Sequence, residues 1–288
     1  MRWMDIGGER VRIAGTVAEL MRVWQPRGAP GDDALLDCAE LSEVLITALR
    51  ADRRAIGWAS AAAREDADGA ELTAWVSEDA RGRGLGTALV SRALDALRRR
   101  GRVRATCMIP KGDSAVGFAH RCGFEPFGEM WRMAYAGGIL DVQDRACIRN
   151  YSDEWFARVI SLRNAGVAEA GLLYGMEYPA LFEADDADLR SAMRRSCALE
   201  FVAVEGEKLL GFCRADRDTG EVGALNVVPA ARGTGLGEQL MRRCVNALAA
   251  RGQSAHLYVS ERNAPALAIY RSIGFEIEEE YLTFLRGL

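Results

Sequence analysis

Hydrophobic and polar positions along this chain follow two periods, one typical of strands and one typical of helices. Short apolar runs such as Val44–Leu49 and Glu71–Val76 predict strands. Between Thr87 and Arg100 the apolar residues recur at helical spacing, and Gly101 ends the helix after a run of arginines, as helix C-termini prefer. Strand and helix patterns alternate along the whole chain, so the sequence predicts an α+β fold with mixed sheets.

The same patterns, together with turns rich in Gly and Pro, predict the order of the elements. In the first half, strands are predicted at Arg10–Ile13, Val44–Leu49, Ala55–Ala61, Glu71–Val76, Arg102–Met108 and, as a closing pair, Phe124–Ala134, and helices at Val17–Trp24, from Asp32 or Asp33 to Leu41, Thr87–Arg100 and Ser114–Cys122. In the second half, strands are predicted at Ala146–Tyr151, Phe201–Val204, Leu209–Arg214, Glu221–Val228, His256–Ser260 and, as closing strands, Phe275–Leu285, and helices at Asp153–Asn164, Asp185–Ser196, Gly235–Ala250 and Ala264–Ser272.

The chain contains an internal repeat. A glycine turn, Arg81–Gly86, recurs as Arg232–Gly237, a shift of 151 residues (232 − 81 = 151). The same shift aligns Val76–Glu129 with Val227–Glu280 without a gap. One shared turn arises easily by chance, whereas a gapless match of this length does not. The repeat therefore predicts a tandem duplication.

The length of the chain agrees with a duplication. A chain of 288 residues fits two domains of about 150 residues, each large enough for a hydrophobic core of its own. The repeat predicts these domains at residues 1–140 and 146–288, with Ala136–Arg145 as the linker.

Composition narrows the class of protein. The net charge of −4 argues against binding to a nucleic-acid backbone. The seven cysteines are scattered and never in C-x-x-C spacing, which predicts reduced thiols and no metal site. The N-terminal residues lack the apolar run of a signal peptide, and no apolar stretch is long enough to span a bilayer. We therefore expect a cytoplasmic protein, monomeric or homodimeric, without a membrane or nucleic-acid partner.

Each glycine turn follows a predicted strand and begins a predicted helix, where backbone N–H groups and the helix dipole favour an anion. A P-loop would need a lysine after the last glycine, but Thr87 and Glu238 occupy those positions. A dinucleotide-binding fold would need G-x-G-x-x-G in an alternating β-α-β chain, whereas these turns read G-x-G-x-G after predicted hairpins. For one copy alone, a glycine-rich connection without a ligand is the alternative.

A longer pattern surrounds the second turn. In order, it consists of Leu225-Asn226-Val227-Val228-Pro229, Arg232–Gly237, Leu257-Tyr258-Val259, Asn263, Ala266, Tyr270 and Gly274-Phe275. This series of motifs resembles the GCN5-related N-acetyltransferases, the GNAT family. The resemblance covers about residues 43–135 and 147–286 and is better in the second half. It implies two tandem GNAT folds, each a mostly antiparallel mixed sheet flanked by helices.

The resemblance also implies a reaction, the transfer of acetyl from acetyl-CoA to a primary amine of a small molecule. Amides of the turn would hold the CoA pyrophosphate, and a strand N–H would polarise the thioester carbonyl. It implies cofactor contacts in the second copy at Leu225, Asn226, Val227, Arg232, Gly233, Thr234, Gly235, Leu236, Gly237, Asn263 and Ala266, and in the first copy at Ala74, Trp75, Val76, Arg81, Gly82, Arg83, Gly84, Leu85 and Gly86.

Two residues are predicted to be catalytic. The family often carries a glutamate base on the strand before the turn, and Glu221 begins that strand here. Tyr270 occupies the position of the family's general acid, which protonates the leaving thiolate. The alternatives are a solvated carboxylate at a strand end for Glu221 and a core aromatic residue for Tyr270.

The copies differ where the chemistry is expected. The shift of 151 residues aligns Ala70 with Glu221 and Ala119 with Tyr270. We therefore expect a catalytic second copy and a first copy that is structural or binds CoA without turnover. His120 and His256 lie far apart in the sequence with no partner constellation, so both are expected to be structural.

The sequence defines the acceptor least well. A degenerate copy before an intact one resembles the mycothiol synthase family, which acetylates the cysteinyl amine of a pseudodisaccharide thiol precursor. Acceptor contacts are expected from Tyr174, Glu177 and Tyr178, between the first two helices of the second copy. The alternatives are acetylation of an antibiotic or its precursor, acetylation of protein N-termini, and binding of acyl-CoA without catalysis.

Overall fold

In the computed structural model, the residues described are 3–6, 9–21, 24, 35, 42–63, 69–142, 147–175, 183, 185–195 and 198–288. The chain divides into two compact units. The first comprises Met1–Phe127 together with Leu282–Leu288, and the second comprises Gly128–Tyr281.

The first unit is a mixed sheet with helices. Its elements are β1 (Trp3–Ile6), β2 (Glu9–Ala14), α1 (Val17–Met21), β3 (Val44–Leu49), β4 (Ala55–Ala63), β5 (Gly69–Val76), α2 (Leu85–Arg99), β6 (Arg104–Pro110), α3 (Ala115–Arg121) and the start of β7 (Glu125–Ala134). The strands follow the order β1-β2-β3-β4-β5-β6. Every neighbouring pair is antiparallel except β5 and β6, which are parallel.

Helix α2 covers this sheet with its apolar side. Leu89, Ala93 and Leu97 recur at helical spacing and are buried in the core of the first unit. A Cβ added to Gly57 of β4 would lie 3.0 Å from Leu89 Cδ1, so glycine allows the helix to approach the sheet closely. Gly101 has a φ of 77° just beyond the helix, as the sequence predicts for a helix stop.

The second unit has its own sheets. Its elements are the rest of β7, then β8 (Ile148–Asn150), α4 (Phe156–Leu172), α5 (Ala187–Arg195), β9 (Leu199–Glu205), β10 (Lys208–Ala215), β11 (Val222–Val227), α6 (Leu236–Ala249), β12 (His256–Ser260), α7 (Ala264–Ile273) and β13 (Glu276–Gly287), whose last residues belong to the first unit. An antiparallel sheet follows the order β11-β10-β9-β8, and β12 pairs antiparallel with β7.

Successive side chains of β9 point to opposite faces of the sheet, and they pack into two different hydrophobic cores of the second unit. Ala203 faces one core, which includes Leu240 of α6, whereas the adjacent Val202 faces the other core, which includes Phe156 of α4. Gly211 of β10 repeats the arrangement of the first unit, since a Cβ there would lie 2.8 Å from Leu240 Cδ1. The α+β fold with mixed sheets is therefore confirmed.

The predicted strand pair at Phe124–Ala134 is wrong, because a single strand, β7, covers Glu125–Ala134. Gly128, where such a pair would turn, does not adopt a positive φ. The predicted closing strands at Phe275–Leu285 are likewise one strand, β13, in which Gly287 is the first glycine or proline.

Each of these two strands is divided between the two units. Residues 128–142 belong to the second unit and residues 282–288 to the first. The units therefore differ from the predicted domains 1–140 and 146–288 at both closing strands.

Helix α4 is longer than predicted, since it continues past Asn164 to Leu172. Gly166 does not break it, and a Cβ at this position would overlap the side chain of Asn226 on β11. Within the described part of the chain, no helix combines the length and apolar character needed to cross a membrane.

Candidate functional site

The two glycine turns have the same backbone geometry. In Arg81–Gly86 the first two glycines have φ values of 74° and 83°, and in Arg232–Gly237 they have values of 73° and 78°. Only glycine adopts this left-handed conformation without steric cost. The second of these glycines is the N-cap of the following helix, α2 or α6. The predicted anion site therefore has the same backbone framework in both copies.

The third glycine of each turn serves helix packing. A Cβ on Gly86 would lie 3.2 Å from Phe118 Cζ of α3, and one on Gly237 would lie 3.4 Å from Ile269 Cδ1 of α7. Phe118 and Ile269 are related by the same shift of 151 residues (269 − 118 = 151). This glycine thus allows the helix after the turn to approach the next helix closely.

The arginine that begins each turn binds the preceding strand. Arg81 Nε donates to Val76 O at 2.9 Å, and Arg232 Nε donates to Val227 O at 2.9 Å. In the second copy, Arg232 Nη2 also reaches both carboxylate oxygens of Glu169 on α4, at 2.9 and 2.8 Å. The guanidinium therefore fixes the turn to the strand end and to α4. The backbone amides of the turn remain available to bind a ligand.

Those amides are available at the start of α6. The N–H groups of Gly235, Leu236 and Gly237 donate to no group in the described part of the chain. The first N–H groups of a helix lack partners within the helix, and the helix dipole adds partial positive charge there. This geometry suits a phosphate or pyrophosphate group.

Beside the turn, the parallel strands of the second copy diverge. β11 and β12 meet only at an isolated bridge between Glu221 and His256, where His256 N donates to Gly220 O at 3.0 Å. Beyond it, residues 222–227 pair with β10 on one side and with no described strand on the other. The predicted contacts Leu225, Asn226 and Val227 lie on this open edge, which can pair with an extended ligand.

The first copy has the same divergence with different residues at its base. β5 and β6 pair over three residues, from Gly69 to Glu71 on β5, and then separate before Ala74, Trp75 and Val76. The bridge between Glu221 and His256 corresponds, after the shift of 151 residues, to the pair of Ala70 and Ala105, both fully buried.

Tyr270 lies on α7, partly buried at the edge of the core of the second copy. Its ring contacts Phe275, with 5.9 Å between ring centroids, and packs against the buried core. Burial, with a smaller effect from Cys213, raises the pKa of the phenol well above its ordinary value. The hydroxyl forms no hydrogen bond with any described residue. In the first copy the corresponding Ala119 is buried, so no hydroxyl is present.

Asn263 begins α7 as its N-cap. Its Oδ1 accepts a hydrogen bond from Ala266 N at 3.2 Å. The predicted contacts Asn263 and Ala266 are therefore linked to each other, at the end of β12 and close in sequence to Tyr270.

Comparisons with known proteins agree with this geometry. A model described as the acetyltransferase (GNAT) family matches residues 16–124, and one described as FR47-like protein matches residues 202–283. A mycothiol acetyltransferase of a Nocardioides species is 30% identical over 267 residues, which cover 82% of this chain and 87% of that protein. The chain belongs to the GNAT acetyltransferase family, in its tandem form.

Another relative and two solved structures resemble this tandem acetyltransferase. The mycothiol acetyltransferase of Mycobacterium marinum is 28% identical and covers 85% of this chain and 83% of its own. A GCN5-related N-acetyltransferase of Sphaerobacter thermophilus has a TM-score of 0.69 at 19% identity, with 96% of this chain and 95% of that one covered. A tandem GNAT protein from the clavulanic acid biosynthesis pathway has a TM-score of 0.65 at 17% identity, with 96% and 98% covered.

Membership of this family establishes the cofactor and the class of enzyme. The protein is an N-acetyltransferase that uses acetyl-CoA as co-substrate. The amides at the start of α6 fit the pyrophosphate of CoA, and the open edge of β11 fits an extended arm.

On the acceptor side, the structure describes one of the three predicted residues. The Tyr174 hydroxyl donates to Ser260 Oγ at 2.5 Å, and Arg262 lies 4.9 Å from the centre of its ring. The two partners of Tyr174 lie at the end of β12 and just beyond it, close in sequence to Asn263. Glu177 and Tyr178 lie outside the described residues.

Two residues that contact the candidate site were not predicted from the sequence. Glu169 forms an ion pair with Arg232, but it lies beyond the predicted helix Asp153–Asn164, and the sequence gives no sign of this contact. His256 was expected to have no partner, yet it lies beside Glu221. Burial and Arg132 lower the pKa of His256, and the charge of Glu221 partly opposes them. The shift of 151 residues, which pairs His256 with Ala105, was the signal that could have identified it.

Among the described residues, no three His, Cys, Asp or Glu side chains are grouped as metal ligands. Cys213 and Cys244 are fully buried with their sulfurs 3.1 Å apart, and burial is the main reason that the pKa of Cys244 is raised. A buried thiol with a raised pKa is a poor nucleophile.

Proposed function

We propose that this enzyme transfers acetyl from acetyl-CoA to a primary amine of a small molecule at its second copy, with Glu221 as general base and Tyr270 as hydrogen-bond donor to the leaving sulfur. One observation carries the proposal. Both copies have the same glycine turn and the same diverging strands, but the second has Glu221, His256 and Tyr270 where the first has alanines.

In this proposal the backbone holds the cofactor. The amides of Gly235, Leu236 and Gly237 bind the pyrophosphate, and the open edge of β11 runs beside the pantetheine arm. An N–H of that edge donates to the thioester oxygen, where negative charge develops as the amine attacks. Such a donor typically contributes about 10²–10³ in rate. Because the donor is part of a strand, its direction is set before the substrate binds.

Glu221 removes a proton from the attacking amine. A primary amine is mostly protonated at neutral pH, so attack needs a base within reach, directly or through water. The main chain of Glu221 is held by a hydrogen bond from Asp216 N to its carbonyl at 2.7 Å. The backbone that carries this carboxylate is therefore held in place at the base of the diverging strands.

The role of Tyr270 follows from relative acidities. An ordinary thiol has a pKa of about 8.5 and an ordinary tyrosine about 10, so full proton transfer from tyrosine to a thiolate is unfavourable by about 2 kcal/mol. Burial raises the pKa of Tyr270 further. We infer that the phenol stays protonated and stabilises the departing thiolate as a hydrogen-bond donor, and that solvent completes the protonation.

For the first copy, we propose cofactor binding without turnover. Its turn presents the same backbone geometry, but Ala70, Ala105 and Ala119 supply neither a base nor a phenol. For the acceptor, similarity to mycothiol acetyltransferases over most of both chains supports the cysteinyl amine of a thiol-bearing sugar precursor.

Acetylation of an amine panel tests the proposal. The panel contains a cysteinyl sugar amine, an aminoglycoside and a peptide N-terminus. Turnover is followed by the loss of thioester absorbance and by the mass of the product, because an acceptor thiol would itself react with a thiol reagent. No turnover with any amine would favour acyl-CoA binding without catalysis.

Variants then test the residues. Glu221→Gln should lower kcat by about 10²-fold, the lower part of the range for general acid–base groups. Tyr270→Phe should lower kcat by about 10- to 100-fold, because a hydrogen bond to a charged group contributes about 1.5–3 kcal/mol. Glu71→Gln, next to Ala70 in the first copy, is the matched control and should leave kcat unchanged. Full activity in Tyr270→Phe together with a large loss in Glu71→Gln would reverse the assignment of the active copy.

A further inference from the structure

A small basic cavity lies in the first unit. Its volume is about 160 Å³, and it is lined by Arg12 of β2, by Leu49 and Arg50 at the end of β3, and by Ala51 and Arg53 in the turn before β4. Three arginines thus line one cavity, one from β2 and two from the end of β3 and the turn that follows it. Guanidinium groups bind phosphate and carboxylate oxygens in a bidentate manner.

Two carboxylates lie near these arginines, those of Asp79 and Asp52. Asp52 is in the same turn, and its Oδ1 accepts a hydrogen bond from Arg54 N at 3.1 Å. Arg50 Nη1 forms an ion pair with Asp79 Oδ2 at 2.7 Å, and this hydrogen bond is the main reason that the pKa of Asp79 falls to about 2. Arg12 contacts the ring of Trp3 at 4.5 Å. Neither Arg12 nor Arg53 forms an ion pair with a carboxylate in the described residues. The cavity therefore keeps a net positive charge in a protein whose overall charge is −4.

Arg53 adopts an unusual backbone conformation. With a φ of 68°, it is the only non-glycine residue with a positive φ in the described part of the chain. Two hydrogen bonds fix the turn, from Arg53 N to Arg50 O and from Arg50 N to Arg54 O, both at 3.0 Å. Gly or Asn would adopt this conformation more easily. An arginine kept there at a steric cost points to a role for its side chain.

The cavity lies next to the first glycine turn. Asp79, the partner of Arg50, belongs to the short 3₁₀ helix Glu78–Ala80, which leads directly into Arg81–Gly86. A ligand with phosphates on that turn would therefore have Arg50 and its neighbours nearby. The corresponding hairpin turn of the second copy, Glu205–Lys208, contains two glutamates and one lysine. An anion would be repelled there, so the basic cavity is particular to the first copy.

We propose that this cavity binds a phosphomonoester group. Two ligands could supply it, the 3′-phosphate of a CoA molecule bound at the first glycine turn or a separate phosphorylated molecule. A phosphomonoester carries about −1.5 to −2 charges at neutral pH and three strong acceptor oxygens, which suit a cavity lined by three arginines. The proposal does not depend on which copy catalyses acetyl transfer.

Two variants test the cavity. Arg53→Asn removes one guanidinium but accepts the left-handed conformation, so it should unfold at the same temperature as the native protein or higher. Arg12→Gln removes a second guanidinium without touching the turn. Arg99→Gln, an exposed arginine at the end of α2, removes the same charge elsewhere and is the control.

Calorimetric titrations of the full chain then separate the two sources. If CoA supplies the group, the native protein binds CoA at least tenfold more tightly than 3′-dephospho-CoA at one site, and Arg53→Asn and Arg12→Gln lose this preference while Arg99→Gln keeps it. If a separate molecule supplies it, CoA and dephospho-CoA bind equally, and inorganic phosphate binds to the native protein and to Arg99→Gln but at least tenfold more weakly to the two cavity variants. Equal binding of CoA, dephospho-CoA and phosphate by all four proteins overturns the proposal.

Discussion

Gly220 offers the sharpest test of the geometry at the base of the diverging strands. It has a φ of 82°, and a Cβ at this position would overlap the backbone carbonyl oxygen of Ser254. Its own carbonyl accepts the hydrogen bond from His256 N at 3.0 Å that accompanies the bridge to Glu221. In Gly220→Ala the two backbone segments must separate, so this hydrogen bond and the bridge should both be lost.

The magnitude follows from these two effects. A left-handed conformation costs a non-glycine residue about 1–2 kcal/mol. A lost hydrogen bond adds about 0.5–1.5 kcal/mol. The free energy of unfolding should therefore fall by about 1.5–3.5 kcal/mol, which corresponds to a decrease in Tm of roughly 3–14 °C for a unit of this size.

Gly252→Ala is the matched control. Gly252 has a φ of 75°, but a Cβ there would meet no atom within 4 Å. Only the conformational cost of about 1–2 kcal/mol should appear, with little effect on kcat. Urea unfolding and steady-state kinetics on both variants make the comparison. The reasoning is refuted if the two variants lose equal stability, or if Gly220→Ala keeps the kcat of the native enzyme despite the displaced Glu221.

Three further results are expected from the second copy. Glu169→Gln should raise the KM for acetyl-CoA about threefold at low salt, since an exposed ion pair such as that with Arg232 contributes about 0.2–1 kcal/mol; an unchanged KM would remove Glu169 from the site. The fold raises the pKa of Tyr270, so this phenol stays neutral at a pH where tyrosine in the unfolded chain ionises. The free energy of unfolding should therefore fall as the pH rises above about 10. Urea unfolding across this range should show a less steep fall in Tyr270→Phe. Cys244 should react with a thiol reagent only after denaturation, because burial raises its pKa, and rapid labelling of the folded protein would contradict this burial.

Local features of the fold could be predicted from the sequence. The bounds predicted for Val44–Leu49 and His256–Ser260 are those of β3 and β12. Both strands are short apolar runs between turn residues, so the pattern contains the information needed. The helix after each glycine turn was predicted within one or two residues, since the left-handed glycines mark its start.

Features set by distant partners could not be predicted in this way. Whether β7 turns back on itself or continues depends on which strand it pairs with, and the sequence near Gly128 does not specify that partner. The link between Arg232 and Glu169 joins residues 63 positions apart. Gly166 disfavours a helix by about 1 kcal/mol relative to alanine, and the reason for a glycine there is Asn226, 60 positions away (226 − 166 = 60), whose side chain a Cβ would overlap.

The two copies show why a glycine turn indicates a cofactor but not a reaction. Binding of a pyrophosphate depends on backbone amides, which glycine conformation and a helix start provide in both copies. Acetyl transfer also needs side chains that move or hold protons, and these differ at the three aligned positions of Glu221, His256 and Tyr270. With alanine at the corresponding positions of the first copy, the turn glycines still have φ values of 74° and 83°, against 73° and 78° in the second copy, so the geometry of the turn does not depend on the residues proposed for catalysis. The active copy must therefore be sought at the base of the strands and on the last helix of the repeat, and not at the turn through which the family is recognised.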